Sequence, residues 1–207
     1  MIKAVIFDVD GTLLDSFEAN LKFYQDLMSR SGYGTISRKT YATMMHLSRR
    51  EMIRSFVGAS EEEMGRVWTL SHVVASEMPI YLLRTPPGTA EIVKLLHKKY
   101  LLGIVTSGLC DTIYKPPELA ALRPFFQTTV SYEDTASHKP DPEPLLLAAR
   151  HLGISPKEAV YIGDMPSDLA AARAAHMKII IYGKNPIEEA DGYISSFHEL
   201  PERIAML

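Results

Sequence analysis

The chain has 207 residues, a net charge of −3 at neutral pH, 46% apolar residues and 23% charged ones. These values fit one large globular domain, or a core with a smaller insert, and exclude a basic nucleic-acid-binding chain, though not a local anion pocket. The single cysteine, Cys110, excludes an intrachain disulfide framework, and no apolar run approaches the roughly 20 residues that span a bilayer.

The first residues run directly into a strand pattern, Ala4 to Phe7, without the layout of a cleaved signal. A cytoplasmic protein is therefore expected, with no membrane and no nucleic-acid partner. Four more short apolar runs have the character of buried parallel strands: Leu101 to Val105, Phe126 to Val130, Ala159 to Ile162 and Lys178 to Tyr182. Each is bounded by helical patterns or turn residues. Strands alternating with helices predict an α/β fold, an open Rossmann-like parallel sheet with right-handed crossovers.

The first interval breaks that rhythm. About 90 residues separate the first two strands, where a single crossover helix suffices. Phe17, Leu21, Tyr24 and Met28 share one helical face. Shorter helical stretches follow near Arg38 to Met45 and Arg50 to Val57. Ser60 to Glu63 has capping-box spacing, and Met64, Val67, Trp68, Ser71, Val74 and Met78 succeed it at helical intervals. Thr85-Pro86-Pro87-Gly88 punctuates the chain before an amphipathic helix over Thr89 to Lys98. The reading is an α-helical domain, residues 16–84, inserted into a core made of residues 1–15 and 85–207.

Acidic residues stand where apolar strands usually end in neutral turns. The first strand runs into Asp8-Val9-Asp10-Gly11-Thr12. In an extended chain, residues i and i+2 point the same way, so Asp8 and Asp10 are expected to project into the crevice beyond the strand's carboxyl end, the usual ligand site of such sheets. Gly11 permits a tight exit. Two like charges there call for a cation or a shared proton. The alternative is a solvated Asp-Gly turn with Asp10 as a local cap. The fourth strand ends in a second acidic turn, Gly163-Asp164-Met165-Pro166-Ser167-Asp168, followed by a helical pattern from Leu169 to Ala175. Hard oxygen ligands at this density suit Mg²⁺ rather than Zn²⁺. Asp168 also reads as a helix cap, a role compatible with function. Val105-Thr106-Ser107-Gly108 ends the second strand with hydroxyls and backbone N–H groups suited to phosphoryl oxygens, although the same composition makes ordinary turns. Lys139, in Lys139-Pro140-Asp141-Pro142, is either a cation for developing phosphoryl charge or a solvated lysine.

In this order, these motifs resemble those of the haloacid dehalogenase superfamily of phosphohydrolases, nearest to its phosphoglycolate-phosphatase-like branch. Asp8 to Thr12 looks like its first motif, Thr106 its second, Lys139 its third, and Gly163-Asp164 through Asp168 its fourth. The insert looks like the helical type-one cap. The resemblance implies a magnesium-dependent phosphatase acting on a small phosphate ester, phosphoglycolate-like or a sugar phosphate, through an aspartyl-phosphate. It implies Asp8 as nucleophile and Asp10 as acid and base. Mg²⁺ would be held by Asp8, the Asp10 carbonyl and Asp164. Thr106 and the Ser107 N–H, with Gly108 beside them, would hold the phosphoryl group, Lys139 would offset its charge, and Asp168 would orient Lys139 or a metal-bound water. Ser107, His138 and His176 depart from the family's usual asparagine, small residue and glycine. His176 in particular ends a helix where glycine's left-handed conformation is usual.

In the insert, Met45-His46-Leu47-Ser48-Arg49-Arg50 lies where related caps present a substrate-reading loop. Arg49 and Arg50 suit fork-like recognition of an anion, or else form a solvated helix start. His46 either narrows the pocket or is simply exposed. Cys110 reads as a buried structural thiol. Met44, Met45, Met52, Phe56, Met64 and Trp68 read as the insert's core. The seven histidines lack zinc-site spacing. A β-phosphoglucomutase-type phosphosugar mutase shares the motifs and is the alternative enzyme. A non-catalytic phosphate-binding regulatory protein is the alternative from another class, and it predicts a missing catalytic carboxylate or lysine, whereas all are present. Composition leaves a monomer or a homodimer open.

Overall fold

The computed structural model describes residues 1–45 and 47–207, with Asp111 described by its backbone alone. Six strands form one sheet: β1 Ala4–Phe7, β2 Leu101–Val105, β3 Thr128–Val130, β4 Ala159–Gly163, β5 Lys178–Tyr182 and β6 Gly192–Ile194. Their order is β3-β2-β1-β4-β5-β6, and every pairing is parallel. This is the expected α/β architecture. The direction of winding reverses at β1, so the carboxyl ends of β1, β2 and β4 border the crevice where such sheets bind ligands. Two details differ from the sequence reading. β3 begins at Thr128, because Phe126 closes a 3₁₀ turn through its N–H on the Arg123 carbonyl, 3.2 Å. β6 was not expected: it has three residues, one of them glycine, too few to show a period.

The chain divides into two compact units, Met1–Asp15 with Arg84–Leu207 and Ser16–Leu83. The second is helical: α1 Phe17–Ser31, α2 Arg38–Met44, α3 Arg49–Val57 and α4 Glu61–Ser76. Leu21, Tyr24, Leu27 and Met28 of α1 pack with Met52, Ile53, Met64 and Val67, all buried. Met44, Met45, Phe56 and Trp68 are only partly buried against that core. Ser48 caps α3 in a reciprocal box with Glu51. At α4 only half of the expected box forms: Ser60 accepts from the Glu63 N–H, while the Glu63 carboxylate turns to Arg66 and Tyr33.

The first unit carries α5 Thr89–His97, α6 Cys110–Ile113, α7 Pro117–Ala120, α8 Glu143–His151, α9 Pro166–Ala174 and α10 Leu200–Ala205. All of β1 is fully buried. By strand alternation Ala4 and Ile6 face one way, into a cluster with Leu145 and Ala148 of α8 and Ala171 and Ala172 of α9. Phe7 stacks on Phe197, with ring centroids 6.4 Å apart. At about 25 cal/mol per Å² of apolar surface, this two-sided burial holds the strand ends rigid enough to aim side chains. α9 begins three residues earlier than its alanine run suggests, because Pro166 at its first position has no N–H to leave unpaired. Just past its end, His176 adopts φ 58°, the left-handed conformation that a glycine would take at less cost. No helix among the described residues is long and apolar enough to cross a membrane.

Candidate active site

The site gathers at the carboxyl edge of the sheet, from strand ends, the loops after them and the first turn of α9. β1 ends at Phe7, and the Asp8 N–H bonds the Ile162 carbonyl of β4 at 2.8 Å, which seats Asp8 between the two strands. The chain then turns sharply, with the N–H groups of Thr12 and Leu14 on the Val9 carbonyl. Asp8 is therefore buried while Asp10 is exposed. Burial thus distinguishes the two, yet they remain electrostatic neighbours, since the Asp10 charge adds to the rise of the Asp8 carboxyl. A Cβ placed on Gly108 would lie 3.8 Å from Asp10 Oδ2, so the Asp10 carboxylate stands over the turn that ends β2.

Lys139 organises the centre. Its ammonium donates to Asp8 Oδ1 at 2.7 Å, to Asp168 Oδ1 at 2.7 Å and to the Tyr161 hydroxyl at 3.0 Å. Its side chain is only 6% exposed, which sets aside the solvated-lysine reading. Asp168, in the first turn of α9, also accepts from the N–H groups of Asp164 (3.1 Å) and Met165 (3.0 Å) through Oδ2. It thus caps the helix with one oxygen and holds the lysine with the other. Gly163 makes room for this, since a Cβ there would sit 2.6 Å from Asp168 Cγ.

Asp8, Asp164 and Asp168 form a cluster whose ligand-capable oxygens lie within 4.8 Å of one another. Burial pushes the Asp8 carboxyl up to about 7, with Lys139 pulling it back and Asp168 adding to the rise. Burial, then the charges of Asp8 and Asp168, push Asp164 up to about 8. Burial opposes the Lys139 ammonium, but Asp168 and Asp8 outweigh it and hold the group well above the lysine range. The Tyr161 phenol is pushed well above its usual range, first by burial, and stays neutral. Three carboxylates facing one ammonium leave an excess of buried negative charge, which a proton or a divalent cation must balance.

The donor set fits a hard cation. Asp168 is committed to Lys139 and two N–H groups, which leaves Asp8 and Asp164 with oxygens to offer. Asp164 has the Thr12 hydroxyl 3.5 Å away and packs directly over Gly11, where a Cβ would lie 2.2 Å from Asp164 Oδ2. Gly11, at φ 81°, thereby leaves the space that lets this carboxylate lie inward.

On the other flank, buried Thr106 accepts from the Gly108 N–H at 3.0 Å, and the half-buried Ser107 and Gly108 complete the turn. The Gly108 carbonyl receives the Tyr132 N–H at 3.0 Å, and the Tyr132 ring stacks on His138 at 3.8 Å, beside Lys139.

In the helical unit, Arg49 lies at the start of α3, with its guanidinium carbon 4.9 Å from the Phe23 ring centroid. Its Nη1 is buried and has no hydrogen-bond partner among the described residues. Arg50 is exposed, and His46 lies outside the described residues. Cys110 is exposed rather than buried, because it begins the short α6 just past the β2 turn. Tyr161 is the site residue that sequence reasoning missed. Its signal was a lone hydroxyl inside an apolar strand, which needs a partner once buried.

Residues 5–182 match the family model described as haloacid dehalogenase-like hydrolase. The chain is 30% identical over 178 residues to a pyrophosphatase, PpaX, of Bacillus velezensis, covering 86% of this chain and 81% of that one. It is 30% identical over 191 residues to a phosphoglycolate phosphatase of Nitrosococcus oceani, covering 87% and 84%. Among solved structures it resembles a HAD-superfamily hydrolase of subfamily IA, variant 1, from Geobacter sulfurreducens, with 30% identity, a TM-score of 0.72 and coverage of 97% and 95%.

Proposed function

The chain belongs to the haloacid dehalogenase-like hydrolase family, and from that premise we propose that it is a magnesium-dependent phosphatase of a small phosphate ester, working through an aspartyl-phosphate on Asp8. The observation that carries this reading is the ammonium of Lys139, fixed 2.7 Å from both Asp8 and Asp168, with Asp164 in the same cluster. An isolated buried carboxylate would be protonated and inert. Pairing with an ammonium offsets part of that cost, and a cation held by Asp8 and its neighbouring carboxylate would offset the rest, leaving Asp8 ionised as a nucleophile.

Asp8 and Asp164 would hold Mg²⁺, which when bound balances the carboxylates and draws charge from the phosphoryl group. An Asp8 oxygen attacks phosphorus as the bond to the leaving oxygen breaks. Asp10, protonated for this step, gives its proton to the leaving oxygen. Its exposed position over the β2 turn suits a group that meets the leaving group rather than the metal. The Thr106 hydroxyl and the N–H groups of the Ser107–Gly108 turn receive phosphoryl oxygens, and Lys139 offsets their charge. Water then attacks phosphorus, Asp10 takes its proton, and the bond to Asp8 breaks, releasing phosphate and restoring both carboxyl groups.

The test uses an aryl phosphate. Chelation should abolish turnover and Mg²⁺ should restore it, while Asp8→Asn should be inactive with the fold intact. Quenched Asp10→Asn enzyme should carry phosphate on Asp8 in mass spectra, because the first displacement onto a good leaving group needs no acid while the second needs a base. Phosphate found on another residue refutes the assignment. Conversion of a hexose 1-phosphate to its 6-phosphate, without release of phosphate, would place the enzyme among the mutases instead.

A further inference from the structure

The Lys139 ammonium has three hydrogens, and the third goes to the Tyr161 hydroxyl at 3.0 Å. That hydroxyl has one hydrogen of its own, and its nearer acceptor is the Val105 carbonyl at 3.1 Å, with Asp168 Oδ1 more distant at 3.4 Å. Tyr161 is completely buried, and the Lys139 nitrogen lies 5.5 Å from its ring centroid. The geometry is unusual in its reach. Tyr161 stands on β4 in register with Ile6 of β1, and Val105 ends β2 on the far side of β1. Neighbouring strands lie about 4.8 Å apart, so β4 and β2 are separated by roughly 9.5 Å. The phenol ring crosses the face of β1 and closes that distance with its hydroxyl. Val105 is the residue immediately before Thr106, and the Thr106 N–H is itself fixed on the Val130 carbonyl at 3.0 Å.

We infer that Tyr161 is a positioning residue for the phosphoryl site: it straps β4 to the end of β2 and holds the Lys139 ammonium and the Thr106 turn at a fixed separation. The inference rests on the phosphoryl-transfer reading above, and it adds a residue that touches neither substrate nor metal. The strap works because all of its valences are used. The ammonium spends two hydrogens on Asp8 and Asp168, and without the hydroxyl its third has no partner within the site, leaving the head group free to rotate about the two carboxylates. The Val105 carbonyl loses its partner in the same change.

Tyr161→Phe keeps the ring and deletes only the oxygen. A hydrogen bond to a charged group is worth roughly 10- to 150-fold in a rate or binding constant. The experiment compares wild type, Tyr161→Phe, Lys139→Met and the double variant, all with Mg²⁺. It measures kcat and KM on an aryl phosphate and the affinity for inorganic phosphate, with melting curves to confirm folding. Tyr161→Phe should lower kcat by at least about tenfold, with a smaller change in KM, and should weaken phosphate binding. In the Lys139→Met background the same substitution should cost clearly less phosphate affinity than in wild type, because one of the two groups through which it acts is gone. Equal losses in both backgrounds would overturn the inference and make the hydroxyl a support of the fold. An unchanged kcat in Tyr161→Phe would also overturn it. If Lys139→Met alone kept full turnover and phosphate affinity, the functional reading itself would fall and the inference with it.

Discussion

Gly11→Ala adds one methyl group at the most crowded point of the site. The added carbon would meet Asp164 Oδ2 at 2.2 Å and Asp164 Cγ at 2.6 Å, whereas real Cβ contacts keep beyond 3.0 Å, so the carboxylate must move by about an ångström. Gly11 also holds φ 81°, a conformation that costs an L-residue about 1–2 kcal/mol. For a chain of this length that lowers the melting temperature by about 2–8 °C. The metal-free protein should sit at the small end of that range. Burial has already raised Asp164 to about 8, and letting it swing outward relieves part of that penalty. Cation binding has no such relief. Mg²⁺ accepts oxygens only near 2.0–2.1 Å, so about an ångström of displacement removes a ligand. The Mg²⁺ concentration for half-maximal activity should therefore rise at least about tenfold, equivalent to about 1.4 kcal/mol. Titration of turnover against Mg²⁺, beside melting curves in chelator, separates the two effects. A folded Gly11→Ala enzyme with the wild-type Mg²⁺ requirement would refute the placement of the cation against Asp164.

Two further outcomes follow from the charge arrangement. Burial pushes Asp8 up to about 7 and Asp164 up to about 8, well above the ordinary carboxylate range of the unfolded chain, so between pH 5 and 8 the native state binds more protons than the unfolded chain. Stability of the metal-free protein should fall as pH rises through that window, and Mg²⁺ should raise the melting temperature more at pH 8 than at pH 5; a metal-free melting temperature that climbs with pH refutes this. If Arg49 rather than exposed Arg50 reads a second anionic group on the substrate, a proposal motivated by its buried Nη1 without a hydrogen-bond partner among the described residues, the two variants should differ. Arg49→Ala should then lose roughly 10- to 150-fold in kcat/KM on such a substrate and little on an aryl phosphate without that group, whereas Arg50→Ala should lose little on either; equal losses on both substrates would make Arg49 a packing residue on Phe23.

The core was legible where the chain repeats a physical period. β1, β2 and β5 have the bounds their apolar runs imply, because strands buried on both faces must be apolar throughout. β6 was not legible, since Gly192-Tyr193-Ile194 gains its strand character only from pairing with Ile180 to Tyr182. The acidic turns could be read as a cluster because carboxylates after apolar strands need a reason to be there. Their division of labour could not. Alternation groups Asp8 with Asp10, whose charge does act on it, but it is silent on Asp164 and Asp168, which the pairing of β4 with β1 brings into one cluster with Asp8. Cys110 was misjudged because its residue type favours burial, while its position at the start of a short helix past the β2 turn leaves it exposed.

Tyr161 shows why contacts of this kind escape a sequence. The residues it joins, Val105 and Lys139, lie 56 and 22 positions away, and nothing in their spacing points to one hydroxyl. What the sequence does contain is an inconsistency: a polar atom at a position whose neighbours, Val160 and Ile162, are wholly buried. A buried hydroxyl without a partner costs about 1–3 kcal/mol, so its presence implies partners before any are seen. In a parallel sheet those partners cannot come from inside the strand ladder, whose N–H and carbonyl groups are already paired. That restricts them to strand ends and loops at the carboxyl edge, where the site lies. The need for a partner applies equally to the hydroxyl of Thr12, fully buried and 3.5 Å from Asp164.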